Sequence, residues 1–141
     1  MIKRIHHIAM VVEDLEGAVS FWQDALGLQL EYTETVPEQQ ASVAFLPVGE
    51  GEIELVKPTT DTSGMAKYLA KRGPGIHHVC VEVDNIMETL ASLKAKGIRL
   101  IDETPRLGSG GKQYAFIHPA SAQGVLVELY ELTQTSLRPS S

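Results

Sequence analysis

Apolar and polar residues follow two rhythms along this chain, and the same succession of rhythms occurs twice. Residues 4–12 alternate weakly and are rich in Ile, Val and Met, which predicts a strand. Asp14 is a suitable N-cap, and Leu15, Ala18, Val19, Trp22, Ala25 and Leu26 then recur at helical spacing as far as Gly27. Residues 28–35, 41–47 and 51–57 return to strand spacing, with turn signals at Pro37 and from Pro47 to Gly51. Pro58 closes the run, and a short helix is expected over 63–72, capped by Ser63, with Met65, Tyr68 and Leu69 on one side. The order then repeats. A strand is expected over 76–83, then a helix capped by Asp84 or Asn85, with Ile86, Leu90 and Leu93 on its buried face and Gly97 at its end. Further strands are expected near 98–103, 113–117 and 124–130.

The repetition extends to identities. Ile5-His6-His7-Ile8 returns as Ile76-His77-His78-Val79, and Ile53-Glu54-Leu55 as Val127-Glu128-Leu129. The histidines His7 and His78 lie 71 positions apart and the glutamates 74. The expected fold is α+β: two tandem βαβββ modules, near 1–72 and 73–131, forming a cupped, partly closed mixed sheet with a cleft between the cups. Half of 131 residues buries too little surface to stand alone, so the modules are expected to make one domain, 1–131. Residues 132–141 read as a polar, frayed tail.

Strand parity then sorts side chains. If His7 points into the cup, so do Ala9 and Val11, while His6, Ile8 and Met10 point to the helices or an edge. By the repeat, His78 and Cys80 point in with His7. A carboxylate inside Val125-Leu126-Val127-Glu128-Leu129 is costly to bury unless paired or coordinated, whereas solvent-facing Glu54 and Glu128 would need no partner. Two imidazoles and two carboxylates around one point form a borderline-hard donor set, suited to Co, Ni, Mn, Zn or Fe(II). Glu82 has the inward parity but sits near its strand end and reads as a solvated carboxylate.

The glycine-rich stretch Leu107 to Lys112 is not a phosphate loop of the Walker type, because Gln113 follows the lysine. It reads either as a hairpin loop or as a substrate-lining loop whose backbone N–H groups at Gly110 and Gly111 meet an anion. His118-Pro119 reads as a turn, with lining of the ligand channel as its alternative.

The net charge of −6 carries no basic footprint for nucleic acid. Cys80 is the single cysteine, so no internal disulfide is possible. No apolar run approaches the roughly 20 residues of a membrane span. With no leader-like segment at the N-terminus, a cytoplasmic location is expected.

These residues carry a resemblance. Residues 4–131 resemble the vicinal oxygen chelate superfamily and, within it, the methylmalonyl-CoA epimerase family. The matching motifs are Ile5-His6-His7-Ile8-Ala9, Pro37-Glu38-Gln39, Gly75-Ile76-His77-His78 and the Leu107 to Lys112 loop. Ile117-His118-Pro119 followed by Gly124 to Leu129 is the most specific of them. The resemblance implies a divalent metal, Co first, with Ni, Mn or Zn as alternatives, held by His7, Glu54, His78 and Glu128. It implies racemisation at C2 of methylmalonyl-CoA through an enolate, with Glu128 as first choice of base and Glu54 as second. Some relatives carry a glutamate where this chain has Val43. It further implies an acyl-CoA substrate contacted by Gly110, Gly111, Lys112 and His118, and a homodimer. Lys57, Lys67, Lys71, Arg72, Arg106 and Lys112 are the cations available to coenzyme A phosphates. Competing expectations are a glyoxalase I-like lactoylglutathione lyase, a non-catalytic small-molecule binder and an extradiol-type dioxygenase.

Overall fold

The computed structural model describes residues 1–132; the expected tail lies, from residue 133, outside the described residues. The chain divides into two compact units: His7–His77, and Met1–His6 together with His78 onward.

In the first unit, β1 (Ile2–Val11) contributes His7 to Val11, followed by α1 (Leu15–Ser20), β2 (Tyr32–Val36), β3 (Ala41–Val48), β4 (Gly51–Pro58) and α2 (Gly64–Arg72). β1 runs parallel to β4, and β4 to β3 and β3 to β2 are antiparallel. One sheet face carries Ala44, Leu46, Ile53 and Leu55, and α1 packs on it through Leu15, Ala18 and Val19, with Trp22 beyond. Ile8 and Met10 join this face, as parity requires. The opposite face carries Ala9, Ala41, Val43 and Val56, with Phe45 and Met65 of α2 against them. Asp14 caps α1 by accepting from the Gly17 N–H at 3.0 Å.

The second unit repeats the plan with β5 (Gly75–Val83, from His78), α3 (Ile86–Ala95), β6 (Arg106–Leu107), β7 (Gln113–Ile117) and β8 (Val127–Glu131). β5 is parallel to β8, which pairs antiparallel with β7, which pairs antiparallel with β6. α3 buries Ile86 and Leu90 against Val81, Val83, Ala115 and Leu129. Asn85 is its cap, accepting from Glu88 N–H at 3.0 Å.

Besides the short β6, which the sequence pattern does not predict, the expected elements differ from the observed ones at four places, each for a local reason. The α1 pattern does not run on to Leu26. Phe21–Ala25 forms a wide turn, with Leu26 N–H donating to Phe21 C=O. Its extra residue rotates Ala25 and Leu26 away from the sheet, and both are exposed. The second strand starts at Tyr32 rather than residue 28, because Leu30 N–H is taken by the Gln23 side chain at 3.0 Å. Residues 98–103 form only a bridge, Leu100 to Ile117. There the buried Asp102 carboxylate accepts from Phe116 N–H at 2.9 Å and from Arg106 Nε at 2.9 Å, so a side chain replaces the ladder. The last strand begins at Val127, because Gly124 and Val125 donate backwards into the turn after Pro119. Among the described residues no helix is long and apolar enough to cross a membrane.

Candidate active site

In each unit a histidine on the first strand meets a glutamate on the strand parallel to it. In the first, His7 Nδ1 lies 3.2 Å from Glu54 Oε2. In the second, His78 Nε2 lies 3.1 Å from Glu128 Oε1. The registers are equivalent: Ala9 stands opposite Glu54, and Cys80 opposite Glu128. In both cases the histidine precedes that opposed residue by two positions, on the same side of the strand. His7, His78 and Glu128 are buried, and the Glu54 side chain retains 15% exposure.

These separations suit adjacent ligands of one cation. Metal–ligand bonds of about 2.1 Å put neighbouring donors about 3.0 Å apart in an octahedron and about 3.4 Å apart in a tetrahedron. Both His–Glu pairs fall within that interval. The separations are also of hydrogen-bond length. No buried side-chain nitrogen or oxygen among the described residues lacks a partner. The donor set of imidazole and carboxylate without thiolate fits a borderline-hard divalent ion.

The surroundings of the two pairs differ. In the first unit Glu52 is also buried, stands opposite His7, and offers an oxygen within 4.8 Å of the donor atoms of His7 and Glu54. Its register equivalent in the second unit is Leu126. The sequence reading passed over Glu52, although the Glu52-Ile53-Glu54 alternation puts both carboxylates on one face. Val43 lies on this face opposite Val56, so β3 brings an apolar side chain to it.

In the second unit the same face is polar and aromatic. Phe116 lies opposite Glu128, and its ring meets the His78 ring edge-on at 5.8 Å. Tyr114 lies opposite Tyr130, and the His6 ring packs 4.8 Å from Tyr130. The Gly108 to Lys112 loop folds as one tight turn, with Gly110 and Gly111 at φ 71° and 81°, a region that favours glycine. Lys112 Nζ donates to the Tyr130 hydroxyl at 3.1 Å and sits 4.7 Å above that ring. Lys112 is thereby held on β8, the strand that carries Glu128.

His118 takes up its turn role: its Nδ1 accepts from Ala120 N–H at 3.0 Å. Arg106 is committed to Asp102, whose carboxylate raises the guanidinium pKa by hydrogen bonding and charge. Glu82 corrects the sequence reading. It is 2% exposed rather than solvated, because Arg4 Nε lies 2.6 Å from one oxygen and Lys3 Nζ 3.4 Å from the other. That pairing needs the N-terminal residues in the second unit, which alternation within 76–83 does not reveal.

Comparison with known proteins adds a family to this geometry. Residues 6–116 match the Glyoxalase/Bleomycin resistance protein/Dioxygenase superfamily. The chain is 42% identical over 127 residues to the mitochondrial methylmalonyl-CoA epimerase of Mus musculus, covering 89% of this chain and 71% of that one. It is 35% identical over 134 residues to the ethylmalonyl-CoA/methylmalonyl-CoA epimerase of Cereibacter sphaeroides, covering 94% of this chain and all of that one, 100%. A solved structure of a Streptomyces coelicolor methylmalonyl-CoA epimerase variant with 2-nitronate-propionyl-CoA is similar at a TM-score of 0.85 and 31% identity, over 98% of this chain and 100% of that chain.

Proposed function

Because the chain belongs to the Glyoxalase/Bleomycin resistance protein/Dioxygenase superfamily, we propose that it is a methylmalonyl-CoA epimerase, acting in the cytoplasm on (2R)- and (2S)-methylmalonyl-CoA. The carrying observation is the matched His–Glu pair in each unit, in a chain 35–42% identical to epimerases.

In this reading the two halves form one domain of residues 1–131, and two chains form a homodimer. His7, Glu54, His78 and Glu128 hold one divalent cation, Co before Ni, Mn or Zn. When bound, the cation supplies Lewis-acid stabilisation of negative charge on the thioester oxygen, worth several kcal/mol. Glu128 accepts the C2 proton on one side of the carbon. Glu54, its repeat equivalent, returns a proton on the other. Proton transfer by a positioned carboxylate contributes about 10²–10⁴-fold. Glu54 takes this role by its equivalence to Glu128 in the repeat. Gly110 and Gly111 present an exposed turn, and Lys112 a cation, to the substrate's anionic groups. His118 keeps the end of β7 in shape beside the substrate channel.

The test is C2 proton exchange of methylmalonyl-CoA in D₂O, with and without chelator, run beside a glyoxalase assay on the glutathione hemithioacetal of methylglyoxal. Exchange that chelation abolishes is expected. Turnover of the hemithioacetal with no exchange on methylmalonyl-CoA would reject the epimerase reading.

A further inference from the structure

Cations are scarce and clustered in the first unit. Between His7 and His77 the chain has eleven carboxylates and only Lys57, Lys67, Lys71 and Arg72 as Lys or Arg. Three of those four lie within one turn and a half of α2, a helix with no acidic residue in Gly64–Arg72. Lys67 and Lys71 are four apart, as are Tyr68 and Arg72, so the four side chains form one continuous helix face. Lys67, Lys71 and Arg72 are exposed. Among the described residues, no carboxylate lies within ion-pair distance of these three.

Two contacts hold this face in place. The Tyr68 hydroxyl donates to Ile76 C=O at 3.0 Å, fixing the ring, and the His77 ring meets it edge-on at 4.9 Å. Arg72 lies over the Tyr68 ring at 5.2 Å, which orients the guanidinium while leaving its N–H donors at the surface. Cations in a last turn also complement the helix dipole. That accounts for Lys71 and Arg72, not for Lys67 nor for the stacked arginine.

The position of α2 gives the cluster its meaning. Met65, at the start of the helix, packs with Ala9, Val43 and Val56. Parity puts Ala9 on the side of His7, and Val56 on the side of Glu54. The basic helix is therefore seated on the sheet face that carries the first His–Glu pair. A thioester held at that pair would share its sheet face with α2. Coenzyme A ends in a diphosphate and a ribose phosphate, the anionic chemistry that a lone basic face in an acidic unit recognises.

We propose that Lys67, Lys71 and Arg72 of α2 form the docking surface for the phosphates of the acyl-CoA substrate. The inference rests on the acyl-CoA reading above and assigns the carrier end of the substrate to this helix.

The test compares free coenzyme A with pantetheine, which lacks all the phosphates, by titration calorimetry on the intact protein. The Lys67→Ala/Lys71→Ala/Arg72→Ala variant should bind coenzyme A about tenfold more weakly, the sum expected of three exposed charge pairs. Its affinity for pantetheine should equal that of the wild type. The gap between variant and wild type should shrink as salt rises. In turnover the loss should fall on KM for methylmalonyl-CoA. A charge-preserving variant, Lys67→Arg/Lys71→Arg/Arg72→Lys, should regain affinity, which a merely unfolded helix would not explain. Coenzyme A affinity equal to wild type in the alanine variant, or an equal loss for both ligands, overturns the proposal while leaving the epimerase reading standing. A wild-type protein that binds no coenzyme A and exchanges no C2 proton overturns both.

Discussion

The two units carry the same His–Glu pair in different settings. Around His7 and Glu54 the sheet face is aliphatic, with Val43, Val56 and Met65, a second buried carboxylate at Glu52, and a basic helix at its edge. Around His78 and Glu128 it is aromatic and hydrogen-bonding, with Tyr114, Phe116, Tyr130 and Lys112, and the buried Glu82 paired with a partly exposed Arg4 beyond. The donor pair recurs in both units, while the residues around it differ. The more hydrogen-bonded wall lies with Glu128, the residue given the proton-abstracting role in the proposed function, with Glu54 in the complementary one.

Exchanging the glutamates for glutamine should break the equivalence. Glu128→Gln should reduce C2 proton exchange by about 10²–10⁴-fold, the contribution of a positioned base, measured by deuterium incorporation. A loss under twofold would remove Glu128 from that role. In the same unit, Arg4→Met leaves the buried Glu82 with only Lys3, 3.4 Å away. Denaturant unfolding should show a loss of about 1–3 kcal/mol, the desolvation cost of an under-partnered buried group. A stability equal to wild type would mean that solvent reaches Glu82 despite its burial.

The next effect is smaller. Glu54→Gln removes the base that completes epimerisation but leaves Glu128 to exchange the proton, and it costs a ligand charge worth about 1.5 kcal/mol, so exchange should fall only about tenfold. A drop as large as that of Glu128→Gln would make the two halves equivalent in catalysis as well as in geometry. The smallest effect is on the surface of the second unit. Lys94 hydrogen-bonds Glu103 at 2.7 Å and lowers the carboxyl pKa below its ordinary 4.5. That depression stabilises the fold above about pH 4.5 and is lost as pH falls through the lower folded value. Glu103→Gln should therefore reduce the thermal midpoint slightly at pH 7 and not at all near pH 2. An equal reduction at both values would mean the contact acts through packing rather than charge.

Much of the site was legible in the sequence because it rests on period two and on repetition. His7 and Ala9, His78 and Cys80, and the interior placement of Glu128 all follow from strand parity, and the structure buries each of them. What was not legible depends on side chains that compete with the backbone or arrive from elsewhere. Asp102 takes Phe116 N–H and so dissolves the expected strand at 98–103. Gln23 takes Leu30 N–H and delays β2. Glu82 looked solvated because its partner, Arg4, lies 78 positions away. Glu52 needed only its own alternation with Glu54 to be noticed; its lack of a counterpart in the repeat hid it.

The central claim is that both pairs serve one cation. Titration of the metal-free protein with Co(II), followed by its visible absorption and by metal analysis, tests this most directly. The account predicts one Co(II) per chain in the wild type, and loss of that single ion from either His7→Ala or His78→Ala. Two ions per chain, or a full-affinity ion retained by either variant, would contradict it.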